Sequence, residues 1–158
     1  MKFMMNGAVT IGTMDGANVE MFEQVGADNM FIFGATAEEI RNMERFNTYD
    51  AGEIYSKNGQ VRDVLNMLID GTIPAKSEHQ FQDLYHSLIF GDYDKADKYF
   101  LLYDLPSYTQ VYRDALSAYA DKSRWLRMAA VNTAKSGIFS SDRTIEDYNR
   151  LIWGLETL

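Results

Sequence analysis

Two short apolar runs flanking one amphipathic octad constrain the fold of this chain more than any other feature. The runs are Ala8-Val9-Thr10-Ile11 and Met30-Phe31-Ile32-Phe33, with Gly7, Gly12 and Gly34 at their ends. A short continuous apolar run closed by turn residues is the pattern of a buried strand. Between them, Asn18-Val19-Glu20-Met21-Phe22-Glu23-Gln24-Val25 reads as a helix closed by Gly26 in a left-handed C-cap. Strand, helix, strand at this spacing is a βαβ unit, and such crossovers build parallel sheets. A parallel sheet needs further strands and cover on both faces. The first 36 residues therefore predict a remnant of a larger sheet, in a chain that starts mid-domain.

After Thr36 the periodicity changes to helical. Val61, Val64, Leu65, Leu68 and Ile69 share one face, and Phe81, Leu84, Tyr85, Leu88 and Ile89 repeat the offsets. The first of these helices is expected to end at Asp70-Gly71, with Pro74 beyond. A third helix is expected over 94–104, interrupted by Pro106. A fourth is expected over 108–120, with Val111, Tyr112, Ala115, Leu116 and Tyr119 on its apolar face. A fifth runs from near Ser123 to Ser136-Gly137. A last one follows Ser140-Ser141-Asp142, whose side chains suit a first-turn cap, with Ile145, Tyr148, Leu151 and Ile152 as its stripe. Shorter helices are expected over 37–44 and 49–55. The predicted class is α/β: a βαβ remnant over 1–36 and a helical layer over 37–158, within one domain.

Composition narrows the function classes. The chain has 158 residues, 46% hydrophobic, with only two prolines, which suits a soluble folded domain and not a disordered tail. A formal net charge of -8 argues against nucleic acid or anionic lipid as partners. No cysteine is present, which removes disulfides, thiolate metal sites and cysteine nucleophiles. No apolar run approaches a membrane span and no signal peptide is evident, so a cytoplasmic location is expected. Ten Tyr, nine Phe and nine Met imply a bulky core, or a surface that faces another domain.

Few residues suggest chemistry by spacing alone. Gly12-Thr13-Met14-Asp15-Gly16 lies between the first strand and the helix, where a phosphate cradle would sit. Its spacing is neither GxGxxG nor a P-loop, and a tight βα turn with Asp15 or Asn18 at the helix start explains it as well. His79 and His86 are seven residues apart, wider than the i, i+4 spacing of metal pairs, and no metal site is expected. Glu38-Glu39 and the Asp/Lys pairs from Asp92 to Lys98 read as solvated helical faces. No carboxylate pair suggests acid–base work, and no catalytic residue is assigned. Lys2 by spacing is a surface lysine near a terminus.

The opening segment from Met1 through Glu20 closely resembles the pyridoxal phosphate attachment segment of the α-glucan (glycogen/maltodextrin) phosphorylases. In that family it reads Gly-Thr-Gly-Asn-Met-Lys-Phe-Met, a residue such as Leu, then Asn-Gly-Ala; here Lys2-Phe3-Met4-Met5-Asn6-Gly7-Ala8 follows Met1. The resemblance continues through Asn29-Met30-Phe31-Ile32-Phe33-Gly34, then from Val131-Asn132-Thr133 through Ser140-Ser141-Asp142-Arg143-Thr144-Ile145, and on to Tyr148 and Ile152-Trp153. It is loose from about Ala35 to Lys122. The resemblance implies the C-terminal part of a two-domain glycosyltransferase fold of GT-B type, without its N-terminal domain and upstream half. It implies phosphorolysis of an α-1,4-glucan by inorganic phosphate to glucose 1-phosphate. It further implies pyridoxal phosphate attached through Lys2, with the cofactor's phosphate as proton donor and acceptor. Asn18 and Glu20 match the family pattern and are assigned a structural role in the βα turn. Alone, the chain is expected to be inactive; the alternative is a non-catalytic remnant that self-associates. The open edge of the remnant sheet predicts a homo-oligomer, with possible exchange of the N-terminal segment.

Overall fold

A computed structural model describes residues 1–77, 79–91 and 94–156. The described residues are mostly helical with one small sheet, and the chain divides into two compact units. The first comprises Met1–Ile32 and Arg113–Leu158, the second Phe33–Tyr112. The change of element type read at position 36 thus differs from the unit boundaries, because the C-terminal helices return to pack on the N-terminal segment. No helix among the described residues is long and apolar enough to cross a membrane.

In the first unit, α1 (Lys2–Met5), β1 (Ile11–Gly12), α2 (Ala17–Val25) and β2 (Phe31–Ile32) follow in order. β1 and β2 pair in parallel, Ile11 opposite Phe31 and Gly12 opposite Ile32. The βαβ unit is therefore present. Its strands are shorter than the apolar runs, and among the described residues each strand has a ladder partner on one side only. Gly26 does take a positive φ of 73°, but its ψ of 170° is extended, so the expected left-handed cap is not formed. Instead Gly26 N–H bonds the Phe22 carbonyl and a 3-10 turn, Ala27–Asn29, leads into β2.

Met4, Met21, Val25 and Met30 form this unit's core, with Phe22, Ile32, Val131 and Phe139 packed against them. Burying each large apolar side chain contributes about 1.5–3 kcal/mol. α8 (Lys122–Lys135) starts where Asp121 accepts the Arg124 N–H, and α9 (Ser141–Tyr148) where Ser140 accepts the Arg143 N–H. Asn132, fully buried in α8, donates Nδ2 to the carbonyls of Asn29 (2.8 Å) and Met128 (3.0 Å). That amide ties α8 to the turn that launches β2.

The second unit holds α3 (Ala37–Phe46), α4 (Ala51–Lys57), α5 (Gly59–Asn66), α6 (Gln82–Ile89) and the first part of α7 (Leu101–Ala120). Thr36 and Glu39 form a reciprocal capping box at the start of α3. Ala51, Val61, Leu65, Ile89 and Leu102 make the core. α5 stops at Asn66, short of the expected Asp70-Gly71 end, because Leu68 and Ile69 turn back with i→i−3 bonds to Leu65 and Asn66. Of the helix expected over 94–104, only the end from Leu101 is helical, as the start of α7; residues 94–100 form a turn, with Asp97 (φ 44°) and Phe100 (φ 57°) in the left-handed region.

Pro106 does not interrupt a helix; it lies inside α7. It removes only the bond that its N–H would give to Leu102, and Asp97 already secures the helix start. The inward residues of the later part of α7 are Ala115 and Ala118, while Tyr112, Leu116 and Tyr119 are exposed. The small side chains face inward, so the expected face is only partly the buried one.

Candidate functional site

The segment singled out by sequence, Lys2, sits at the start of α1. Met4, two residues on, is fully buried and fixes the rotation of this single turn. Two residues amount to about 200° around a helix, so Lys2 faces away from the core, and it is exposed. α1 closes on itself: Asn6 Nδ2 donates to the Lys2 carbonyl at 2.8 Å, and Gly7 N–H to the Met4 carbonyl at 2.9 Å. Gly7 has φ +78°, and a Cβ there would lie 3.4 Å from Thr133 Oγ1 and 3.5 Å from the Ala129 Cβ. The positive φ of the turn is what calls for glycine, since an added Cβ would meet α8 at ordinary contact distance. The two stretches of strongest family resemblance thus pack on one another. Among the described residues, the Lys2 amine has neither an ion pair nor a hydrogen bond.

The loop Gly12–Gly16 satisfies its own polar groups. Asp15 Oδ1 accepts the Gly16 N–H at 2.7 Å, and Asn18 Nδ2 donates to the Thr13 carbonyl at 3.0 Å. A Cβ on Gly12 would come within 2.6 Å of Asn18 Nδ2, so that glycine permits the close approach of Asn18. This is the tight βα turn, with Asn18 in a structural role. Exposed Glu20 lies in the first turn of α2, where its charge suits the helix dipole.

The histidines are not brought together with other ligands. His79 Nδ1 pairs with Gln82 Oε1 at 2.8 Å, and His86 rests against the rings of Tyr85 and Phe90. No group of three metal-ligating side chains occurs among the described residues.

Sequence reasoning missed one polar cluster, in the second unit. Spacing groups Asp97 with a solvated face, yet it is 2% exposed. It accepts the N–H groups of Leu101 (2.9 Å) and Leu102 (2.7 Å) and the hydroxyl of Tyr49. Burial, then the Asp97 carboxylate, push the Tyr49 phenol well above its ordinary range. Asp104 accepts the Ala35 N–H at 2.8 Å, and burial raises its carboxyl, helped by the charges of Asp97 and Glu39. The neighbouring Asp94 does form an exposed ion pair with Lys98, as a solvated face should, while Asp92 lies outside the described residues. The left-handed break at Asp97 has no signature in local spacing. Beside the cluster lies a cleft of about 580 Å³ lined by Tyr49, Ile54, Asn58, Gly59, Leu102 and Tyr103.

The family profile described as carbohydrate phosphorylase matches residues 1–155. The chain belongs to that family. Curated members similar to it include glycogen phosphorylase of Chlamydia pneumoniae, 41% identical over 157 residues, which covers 99% of this chain and 18% of that one. Glycogen phosphorylase of Bacillus subtilis (strain 168) is 39% identical over 158 residues, 100% of this chain and 19% of its own. The muscle form of glycogen phosphorylase of Homo sapiens is 40% identical over 156 residues, 99% and 18%. The chain therefore spans about a fifth of the length of these phosphorylase relatives. The match is continuous through the middle of the chain, where the resemblance read from motifs is loose.

Proposed function

We propose that this chain is the cofactor-attachment part of an α-1,4-glucan phosphorylase, with Lys2 as the lysine that binds pyridoxal phosphate. The observation that carries this reading is the exposed Lys2 amine, unpaired among the described residues, on a turn that packs on α8 and whose rotation is fixed by buried Met4. A free amine held at a defined place fits covalent attachment of an aldehyde cofactor. Family membership and the glycogen phosphorylase names of the relatives support the substrate class, an α-glucan with inorganic phosphate. When bound, pyridoxal phosphate supplies a phosphate group that exchanges a proton with the substrate phosphate. The contribution of this chain is to hold and aim the amine. The small parallel sheet beside α1 fits the edge of a larger GT-B sheet, completed by the parts in which the relatives are longer.

The test is incubation with pyridoxal phosphate, borohydride reduction and peptide mapping. Stoichiometric label at Lys2 is expected, in preference to the six other lysines of the chain. Label spread evenly over all seven refutes the assignment.

One observation favours self-association of the isolated chain as a second reading. Among the described residues the sheet has two strands with open edges, and Phe3 in the same unit is 81% exposed. Open parallel edges and bare aromatic surface recruit other chains. Light scattering at micromolar concentration should show a dimer or larger species, and a monodisperse monomer counts against it.

A further inference from the structure

The sequence contains two Asn-Gly pairs, Asn6-Gly7 and Asn58-Gly59. Such a pair can convert without any enzyme, because glycine has no Cβ to hinder attack by its own backbone nitrogen on the preceding side chain. The structure treats the two pairs oppositely. At the first, both reacting groups are engaged: Gly7 N–H bonds the Met4 carbonyl at 2.9 Å and Asn6 Nδ2 bonds the Lys2 carbonyl at 2.8 Å. Gly7 is also pressed against Ala129 and Thr133 of α8.

At the second, Asn58 is the hinge residue between α4 and α5, helices of seven and eight residues. Among the described residues, the Gly59 N–H donates to no acceptor. Asn58 Oδ1 accepts the Val61 N–H at 3.2 Å, which polarises the carboxamide and favours negative charge on that oxygen. The Arg62 guanidinium lies 3.6 Å from where a Cβ on Gly59 would sit, and a cation there favours the deprotonated amide. Attack needs Asn58 ψ to swing from its present 104°. That opening is local, opposed chiefly by the Asn58 N–H to Ile54 bond, the Arg62 N–H to Asn58 bond and the cap itself.

We infer that Asn58 is a site of spontaneous deamidation, and that Asn6 is protected by the fold. Gly59 N loses its proton and bonds to Cγ of Asn58, the bond from Cγ to the side-chain nitrogen breaks, and ammonia leaves with the proton. Water then opens the five-membered imide at either carbonyl, giving aspartate or isoaspartate. No oxidant, reductant or cofactor is required. Aspartate adds a negative charge at the rim of the cleft. Isoaspartate inserts a methylene into the backbone between α4 and α5.

The experiment is incubation of the folded chain at mildly alkaline pH, with peptide mapping by mass spectrometry at both sites. Asn58 should convert at least about fivefold faster than Asn6, and the ratio should fall towards unity in guanidinium, where neither pair is held. Gly59 has no positive φ, and a Cβ there meets only Arg62 at ordinary contact distance. Gly59→Ala should therefore keep the fold, checked by circular dichroism, and slow Asn58 at least about fivefold. Equal or faster conversion of Asn6 in the folded chain overturns the inference, as does a ratio that guanidinium leaves unchanged.

Discussion

Replacing Asp97 by alanine should be among the most damaging single changes in the second unit. The carboxylate accepts three hydrogen bonds, from Leu101 N–H, Leu102 N–H and the Tyr49 hydroxyl, at a position 2% exposed. Loss of the helix cap alone costs about 1 kcal/mol. The Tyr49 hydroxyl, left without its acceptor in a half-buried place, costs a further ~1–3 kcal/mol. Asp97 has φ 44°, a conformation that alanine tolerates less well, at ~1 kcal/mol. Because these effects share one site they do not add fully, and a net loss of about 3–4 kcal/mol is expected. Asp97→Asn keeps one acceptor oxygen and tolerance of the left-handed backbone, so it should lose about half as much. Urea unfolding followed by circular dichroism measures both. Tyr49→Phe in the Asp97→Ala background removes the stranded hydroxyl and should recover about 1 kcal/mol. The same pair sets an alkaline limit. A phenol whose folded pKa is raised contributes stability that is full below its unfolded value of about 10 and is lost as pH rises beyond it. Tyr49→Phe should flatten that decline. An Asp97→Ala variant within about 1 kcal/mol of the parent would refute the reasoning.

Met4→Ala should cost about 2–4 kcal/mol in the same assay, while Met4→Leu stays within about 1.5 kcal/mol, since Met4 is wholly buried in the core that anchors α1. Gly34→Ala should destabilise by roughly 2 kcal/mol, because φ is +79° and the new Cβ would lie 2.5 Å from Asp104 Oδ2. Asp104→Asn should match or exceed parental stability at neutral pH. The raised carboxyl of Asp104 contributes stability that is present below the ordinary carboxylate pKa of about 4 and lost as pH rises through its folded value. The variant's stability should accordingly vary less with pH above 4, read from urea midpoints across a pH series.

The βαβ unit was legible because it is local. Two apolar runs, an octad of helical period and intervening glycines specify it with no help from distant residues. The cap at Ser140 was equally close at hand, since it depends on a side chain and an N–H three residues away. Asp97 was not legible. Its neighbours in sequence are charged and exposed, and its burial rests on the left-handed turn that brings it to the Leu101 and Leu102 N–H groups and on the return of Tyr49 from nearly fifty residues upstream. Pro106 misled for a related reason: local propensity forbids it in a helix interior, but the Asp97 cap and the packing of Leu102 hold the helix around it.

For the candidate site, sequence alone fixed the family resemblance and marked Lys2, because a long ordered motif survives in one dimension. It also offered the tight turn of Gly12 to Asn18, where every partner lies within a few residues. Tertiary structure alone decided that Met4 faces inward and Lys2 outward, that Gly7 lies beside α8, and that Asn132 reaches the turn before β2. It also separated two identical Asn-Gly pairs into one whose reacting groups are bonded and one whose nucleophile is free. Local hydrogen bonding and periodicity are properties of neighbouring residues and can be read along the chain. Burial, close approach and the pairing of a buried carboxylate depend on which distant segments meet, and they exist only once the chain has folded.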